Sequence, residues 1–324
     1  MKTPLLDLRS GLRGEWPVFM CGFRPFFVLT AASAVVMMAM WLLMLRGLMP
    51  DVMPGGSMLW HSHEMIFGFV TASIAGFVLT AIPEFTHTAP VSHRRLARLA
   101  MLWVAARLAY ALSGLWPAWL GLWPAALFNL AIVCVGLCSL AEFSLGDNLI
   151  TGWTALAAAA AMLNLLNDWH VGRPLFNRWA LMMYAFYWLV AVGYGLMGAA
   201  WLGAPLLPSA GRHVLMAGAM GLSIFTIMAM VGRIHAGLWL DRRIWLPLTA
   251  MTLVLATLLR AIAGFYAAAW TATLLLVSGM MWAACFATYL LVTWPVLTGP
   301  RSDGLVGCQE PMQRDAGHTA DKIS

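Results

Sequence analysis

Charge is what this chain has least of. Only 10% of its 324 residues are Asp, Glu, Lys or Arg, and 13 of them are acidic. A soluble domain carries roughly 25% charged residues to cover its surface, so a soluble globular fold is excluded. Cysteine is also sparse. Cys21, Cys134, Cys138, Cys285 and Cys308 form no CxxC or paired spacing, so most of them read as buried thiols rather than a metal or redox motif. No phosphate loop, nucleophile elbow or HExxH motif occurs, which leaves nucleotide, hydrolase and zinc-protease chemistry without a carrier. Period-two alternation over about ten residues is missing too, which argues against a membrane barrel. Asp7, Arg9, Arg13 and Glu15 interrupt the place where the apolar core of a cleavable signal would lie.

What is present is apolar bulk in long runs. Hydrophobic residues make up 62% of the chain, 17 are Trp, and the mean hydropathy is +0.81. These values predict an all-α, polytopic transmembrane helix bundle. About nine hydrophobic segments can be read, using a window of roughly 18 to 20 residues. They cover approximately residues 25–45, 65–82, 96–115, 119–143, 150–166, 179–202, 214–234, 244–265 and 267–297. An amphipathic entry segment, 1–24, precedes the membrane domain, 25–298, and a polar tail expected to be disordered, 299–324, follows it.

Basic residues refine the count. With the N-terminus inside, Lys2, Arg9, Arg13, Arg24, Arg94, Arg95 and Arg98 all fall inside, as the positive-inside rule requires. Nine crossings would leave Arg173, Arg178, Arg233, Arg242 and Arg243 outside. An even number of full crossings returns them. The fifth segment, ending in Asn164, Asn167 and Asp168, is where hydropathy and charge disagree. The excess of positive charge belongs to loops and tail and speaks for orientation in a lipid bilayer, not for a nucleic-acid partner.

The candidate chemistry starts at the head of the second span, LWHSHEMIFGF, where Trp60, His61, His63 and Glu64 join a polar cap to eighteen uncharged residues. Ionisable groups at such depth are costly and point to function, although an aromatic and histidine anchor at the interface is the simpler role for a single histidine. His61 and His63 lie two apart, about 200° around a helix. They converge only if the segment is unwound, and His63, continuous with the span, is the better single ligand. His213 opens the seventh span on the same outer side, so His61, His63 and His213 form a candidate cluster for haem or copper, metals that imidazole suits. His87, His93 and His235 fall on the inner side. A metal cannot bridge His213 and His235, because 22 residues of helix cover roughly 33 Å. Arg107 and Arg260, both within spans, sit at the depth of Glu64. Glu64 neutralises one, and haem propionates or an anionic ligand the other. Met37, Met40 and Met44 share a face but are ordinary span filler.

GFRPFF at Gly22 to Phe27, WHSHEMIFGF at Trp60 to Phe69, AGFVLTAIPEFT ending at Thr86, HVLMAGAMG from His213 and GRIHAGLWL around His235 together resemble the NnrS family. The resemblance covers roughly residues 18–90 and 174–294. It implies a multi-pass protein of the bacterial inner membrane, with its N-terminus cytoplasmic, that binds b-type haem and copper. It also implies a role in nitric oxide tolerance, nitrosative stress and denitrification, with nitric oxide or a related small molecule as a ligand. The expected cofactor residues are then His61, His63, His213, Glu64, Arg107 and Arg260, with His63 and His213 holding the metal from facing helices and His61 and His235 as further metal ligands. Relatives resemble one another in having about twelve spans, more than this chain has room for. Its middle is shorter, and Met230, Val231 and Gly232 precede Arg233 where the family usually reads threonine and arginine. Whether a substrate is turned over is left open. A metal-free secondary transporter or ligand-binding membrane protein, using Glu64 and the intramembrane arginines among glycine-interrupted spans, is the rival reading.

Overall fold

The computed structural model describes residues 16–50, 56–85, 91–112, 149–167, 173–265 and 270–304. Within these, helices follow the hydrophobic runs, and no strand forms among the described residues. After a 3-10 turn at Pro17–Phe19 come α1 (Phe23–Leu45), α2 (Ser57–His63), α3 (Thr71–Phe85), α4 (His93–Ala111), α5 (Leu149–Asn167), α6 (Arg178–Trp201), α7 (Pro208–His213), α8 (Gly221–Ile234), α9 (Trp245–Ile262) and α10 (Thr271–Thr298). Two π-helical stretches, Glu64–Val70 and Val214–Met220, join α2 to α3 and α7 to α8 into continuous rods. Six rods or helices among the described residues are long and apolar enough to cross a bilayer: α1, α2–α3, α6, α7–α8, α9 and α10. α4 is not among them, since Arg94, Arg95, Arg98 and Arg107 fall within its nineteen residues.

The fifth hydrophobic segment, the weak candidate on which hydropathy and charge disagree, is helical throughout as α5 but is not among these six. It runs antiparallel against α6, and glycine makes the seam: a Cβ on Gly198 would lie 2.8 Å from the Leu156 side chain and one on Gly152 3.1 Å from Leu202. Backbones that close need residues without bulk. The expected fourth span, 119–143, lies outside the described residues, as do His87 and most of the entry segment and tail.

Both ends of the described bundle meet at one face. Arg24, at the head of α1, donates from Nη1 to the carbonyls of Pro17 at 3.0 Å and Gly299 at 2.6 Å, just past the end of α10. A chain that enters and leaves on one face crosses an even number of times, which agrees with the charge bias. The same face carries Arg178 Nη1 donating to the Arg242 and Arg243 carbonyls. It also carries Asp241, which accepts from Arg243 Nη2 at 2.7 Å and Trp245 Nε1 at 2.9 Å and lies 3.6 Å from Arg233. Burial works against ionisation of Asp241, but the Arg243 and Trp245 bonds and nearby Arg233 win, holding its carboxyl well below the usual carboxylate range. Arg301, fully buried, donates to the His235 carbonyl and pairs with Asp303 at 2.7 Å. The start of the polar segment, 301–303, is therefore packed onto the turn after α8.

The core lies between α1, α8, α9 and α10, where Phe23, Phe27, Phe225, Phe286 and Tyr289 are all fully buried. The first motif is explained by packing. Gly22 presses on Leu79, where an added Cβ would sit 2.6 Å from the Leu79 Cβ, and Gly76 leaves room for Phe26 and Phe27. The Phe23 amide donates to Thr80 Oγ1 at 2.9 Å. The expectation that the cysteines are mostly thiols holds for Cys285, which is free and buried, but Cys21 is disulfide-bonded.

Candidate functional site

Each π-helical stretch begins directly after a histidine, and a glycine sits five residues on. His63 is followed by Gly68, Ser73 and Ile74, and His213 by Gly218, Ser223 and Ile224, the same spacing in both. Each rod also packs beside a preceding helix, α1 or α6, and each unit has a third helix bearing an intramembrane arginine, Arg107 on α4 and Arg260 on α9. The bundle thus contains two related three-helix units in parallel. π-turns in α-helices concentrate at functional sites, and here they mark the level at which the polar side chains gather.

In the first unit, the two histidines of α2 part company, as their 200° separation requires. His63 stacks on Tyr110 at 3.6 Å between ring centres, and its Nδ1 lies 3.2 Å from Glu64 Oε1. Glu64 is buried and accepts from Arg107 Nη1 at 3.1 Å, a buried ion pair. Its second oxygen, Oε2, meets no hydrogen-bond partner, nor does the buried Ser33 hydroxyl. Both face the bare side of Gly68, where a Cβ would lie 2.9 Å from Glu64 Oε2 and 3.0 Å from Ser33 Oγ.

His61 points the other way. It stacks on Trp41 at 4.5 Å and 16°, its Nδ1 is buried without a partner, and it lies within electrostatic reach of His213 and Arg260. His213 is oriented by its own helix: Nδ1 is 2.8 Å from the Ser209 carbonyl, an oxygen that only accepts, so the proton is on Nδ1. Nε2 is then the lone-pair nitrogen, and it takes the Arg260 Nη2 donor at 3.3 Å, while the same Nη2 donates to Ser209 Oγ at 3.1 Å.

The anticipated cluster therefore divides. His61, rather than His63, is within electrostatic reach of His213 and Arg260, and His63 contacts Glu64, which pairs with Arg107. His235 is buried at the opposite end of α8, with its ring 5.8 Å from that of Phe23, in the separate layer its distance along the helix demands. His93 is the first residue of α4. Among the described residues no group of three or more His, Cys, Asp or Glu side chains converges as a metal site. Trp41, Ser33, Tyr110 and Ser209 escaped the sequence reading because aromatic and hydroxyl residues within spans carry no distinguishing pattern. The repeated spacing of His, Gly, Ser and Ile was a usable signal for the duplication.

The two-imidazole set can be tested against the expected cofactors. A histidine that ligates a metal ordinarily donates its other ring N–H to a carbonyl or carboxylate, and His213 has that arrangement, with Nε2 turned to Arg260. The orphaned His61 Nδ1 is a second donor. Two imidazoles match the axial pair of a haem better than a tetrahedral metal that draws three or four protein ligands.

A family model described as NnrS protein matches residues 17–142 and 122–301. No curated protein and no solved structure matches the chain. The two matched stretches take in both π-helical units and every histidine placed above, and on that ground the chain belongs to the NnrS family.

Proposed function

We propose that this multi-pass membrane protein binds haem, with copper as the second metal it accepts, and acts in the bacterial response to nitric oxide or nitrosative stress from the inner membrane. The observation that supports the reading is His61, from one unit, within electrostatic reach of His213 and Arg260 in the other, with its buried Nδ1 left without a partner. His61 and His213 would hold the iron, and Arg260 would turn from His213 Nε2 toward a propionate, a charge match of the kind guanidinium groups favour. When bound, the haem supplies electron transfer, or nitric oxide binding at an open coordination position. Glu64 and Arg107 remain a neutral pair beside it, and Trp41 covers the His61 ring.

The visible spectrum of detergent-purified protein, with metal analysis, tests this. The expected result is a Soret band that disappears in His61→Ala and in His213→Ala and persists in His63→Ala. A preparation that stays colourless and metal-free after haem and copper supply overturns it. That result would favour the second reading, a metal-free transporter, which rests on the buried Glu64–Arg107 pair and on the unpartnered oxygens of Glu64 and Ser33 beside Gly68.

A further inference from the structure

An open apolar groove of about 460 Å³ runs between α4 on one side and the opening 3-10 turn and first turns of α1 on the other, walled by Phe19, Val28 and Leu29 against Met101, Val104 and Leu108. Its volume lies in the range of small-molecule sites. Its far end, at Leu108, stops just short of the Glu64–Arg107 contact, and none of its lining residues belongs to the proposed cofactor set. The α4 wall is unusually bare: Met101 is 70% exposed and Leu108 57%.

The α4 sequence gives the groove a polarity. Arg94, Arg98, Met101, Ala105 and Leu108 recur at intervals of four, three, four and three residues, so they lie along one face of the helix. The apolar stripe in the groove thus continues, toward the arginine-rich face of the bundle, into two guanidinium groups. Both are exposed, and neither pairs with a carboxylate among the described residues. From Arg98 to Leu108 the helix rises roughly 15 Å, half of a bilayer core of about 30 Å. A groove one leaflet deep, apolar along its length and doubly cationic at its mouth, has the dimensions and charge order of a phospholipid.

We infer that this groove seats one anionic phospholipid of the leaflet on the arginine-rich face, its acyl chain between α1 and α4 and its phosphate on Arg94 and Arg98. Guanidinium binds phosphate with paired, charge-assisted donors, and basic residues at a membrane surface select anionic headgroups. A lipid here fills the gap between α4 and α1 below the Glu64–Arg107 contact and so braces the helix that carries Arg107.

The full chain, reconstituted into nanodiscs of phosphatidylcholine with or without phosphatidylglycerol and then extracted gently, is weighed by native mass spectrometry. The wild type is expected to retain one phosphatidylglycerol and no tightly held phosphatidylcholine. Val104→Trp, which fills the groove midway, and Leu108→Trp, at its far end, each lose that lipid. Val192→Trp, on an exposed part of α6, keeps it. The double variant Arg94→Gln with Arg98→Gln lowers the apparent affinity about 30-fold, roughly fivefold for each arginine. Retention unchanged in both groove-filling variants, or unchanged in the double arginine variant, overturns the inference. So does displacement of the lipid by inorganic phosphate alone, or a dimer that the groove-filling variants convert to a monomer while lipid retention stays the same.

Discussion

The two π-helical units share a backbone plan but use it differently. Both place a histidine before the π-turn, a glycine within it and an arginine on the third helix. In the first unit the arginine meets a carboxylate, Glu64, and the position after the histidine is charged. In the second the corresponding residue is Val214, fully buried and apolar, and Arg260 turns to neutral partners, the Ser209 hydroxyl and His213 Nε2. One carboxylate thus decides whether the histidine side chain contacts an acid or the arginine of its own unit. The first unit contributes through its other histidine, His61, which lies within electrostatic reach of His213 and Arg260 of the second.

The strongest way to break this comparison is at Glu64. Glu64→Ala leaves Arg107 a buried charge without its carboxylate, at a cost of about 3–5 kcal/mol. Arg260→Gln, which removes a half-buried cation held by neutral groups, is expected to cost about 1–2 kcal/mol. The two midpoints of denaturant unfolding in detergent, compared directly, check the ordering, and equal shifts would show that the carboxylate is not what separates the units. The glycines sharpen it next. Gly218→Ala puts a Cβ 2.5 Å from Thr257 Cγ2 on a packed helix, whereas Gly68→Ala meets the ends of Glu64 and Ser33. The first should destabilise by about 1–3 kcal/mol and the second by less, read from the same transitions.

Asp241, on the shared arginine-rich face, gives a smaller and pH-linked effect. Its folded pKa is depressed, so its contribution is fully present above the unfolded value of about 3.9 and is lost as pH falls through the lower folded value. Asp241→Asn is expected to cost about 1–3 kcal/mol near neutrality and to flatten the acid limb of a stability–pH profile. The smallest effect belongs to His235→Ala. Its ring lies against Phe23 in the other layer, so the visible spectrum of the loaded protein should not change.

Much of the scaffold was legible because bilayer thickness imposes itself on sequence. The segments at 25–45, 179–202 and 244–265 match α1, α6 and α9 to within three residues. The preference for an even number of crossings came from basic residues alone, and it agrees with the contact of Arg24 and Gly299 at the two ends of the described bundle. The site was legible in its parts and not in its pairing. Glu64 meets Arg107 and His213 meets Arg260, pairings that counting residues along the spans makes possible. Which histidine meets His213 depends on rotation about the helix axis, and that was readable only as a 200° divergence between His61 and His63. Preference for His63 came from its continuity with the span, which says nothing about the Tyr110 ring and Glu64 carboxylate that hold it elsewhere. Likewise, Arg24 was legible only as one of the inside charges, since the carbonyls it clasps at Pro17 and Gly299 are far apart in sequence.

The wider turns after His63 and His213 carry a further consequence for anyone engineering these rods. Each π-turn accommodates about one residue more than an α-turn, which offsets all later side chains by roughly 100° of azimuth. A helical wheel drawn from Ser57 straight through to Ala81 will therefore assign the lower half of the rod to the wrong neighbours. Deleting one residue between Glu64 and Val70 would let the rod take a uniform pitch with Gly76 still facing the phenyl rings it was small enough to admit, whereas an α pitch imposed without that deletion would swing Gly76 away from them.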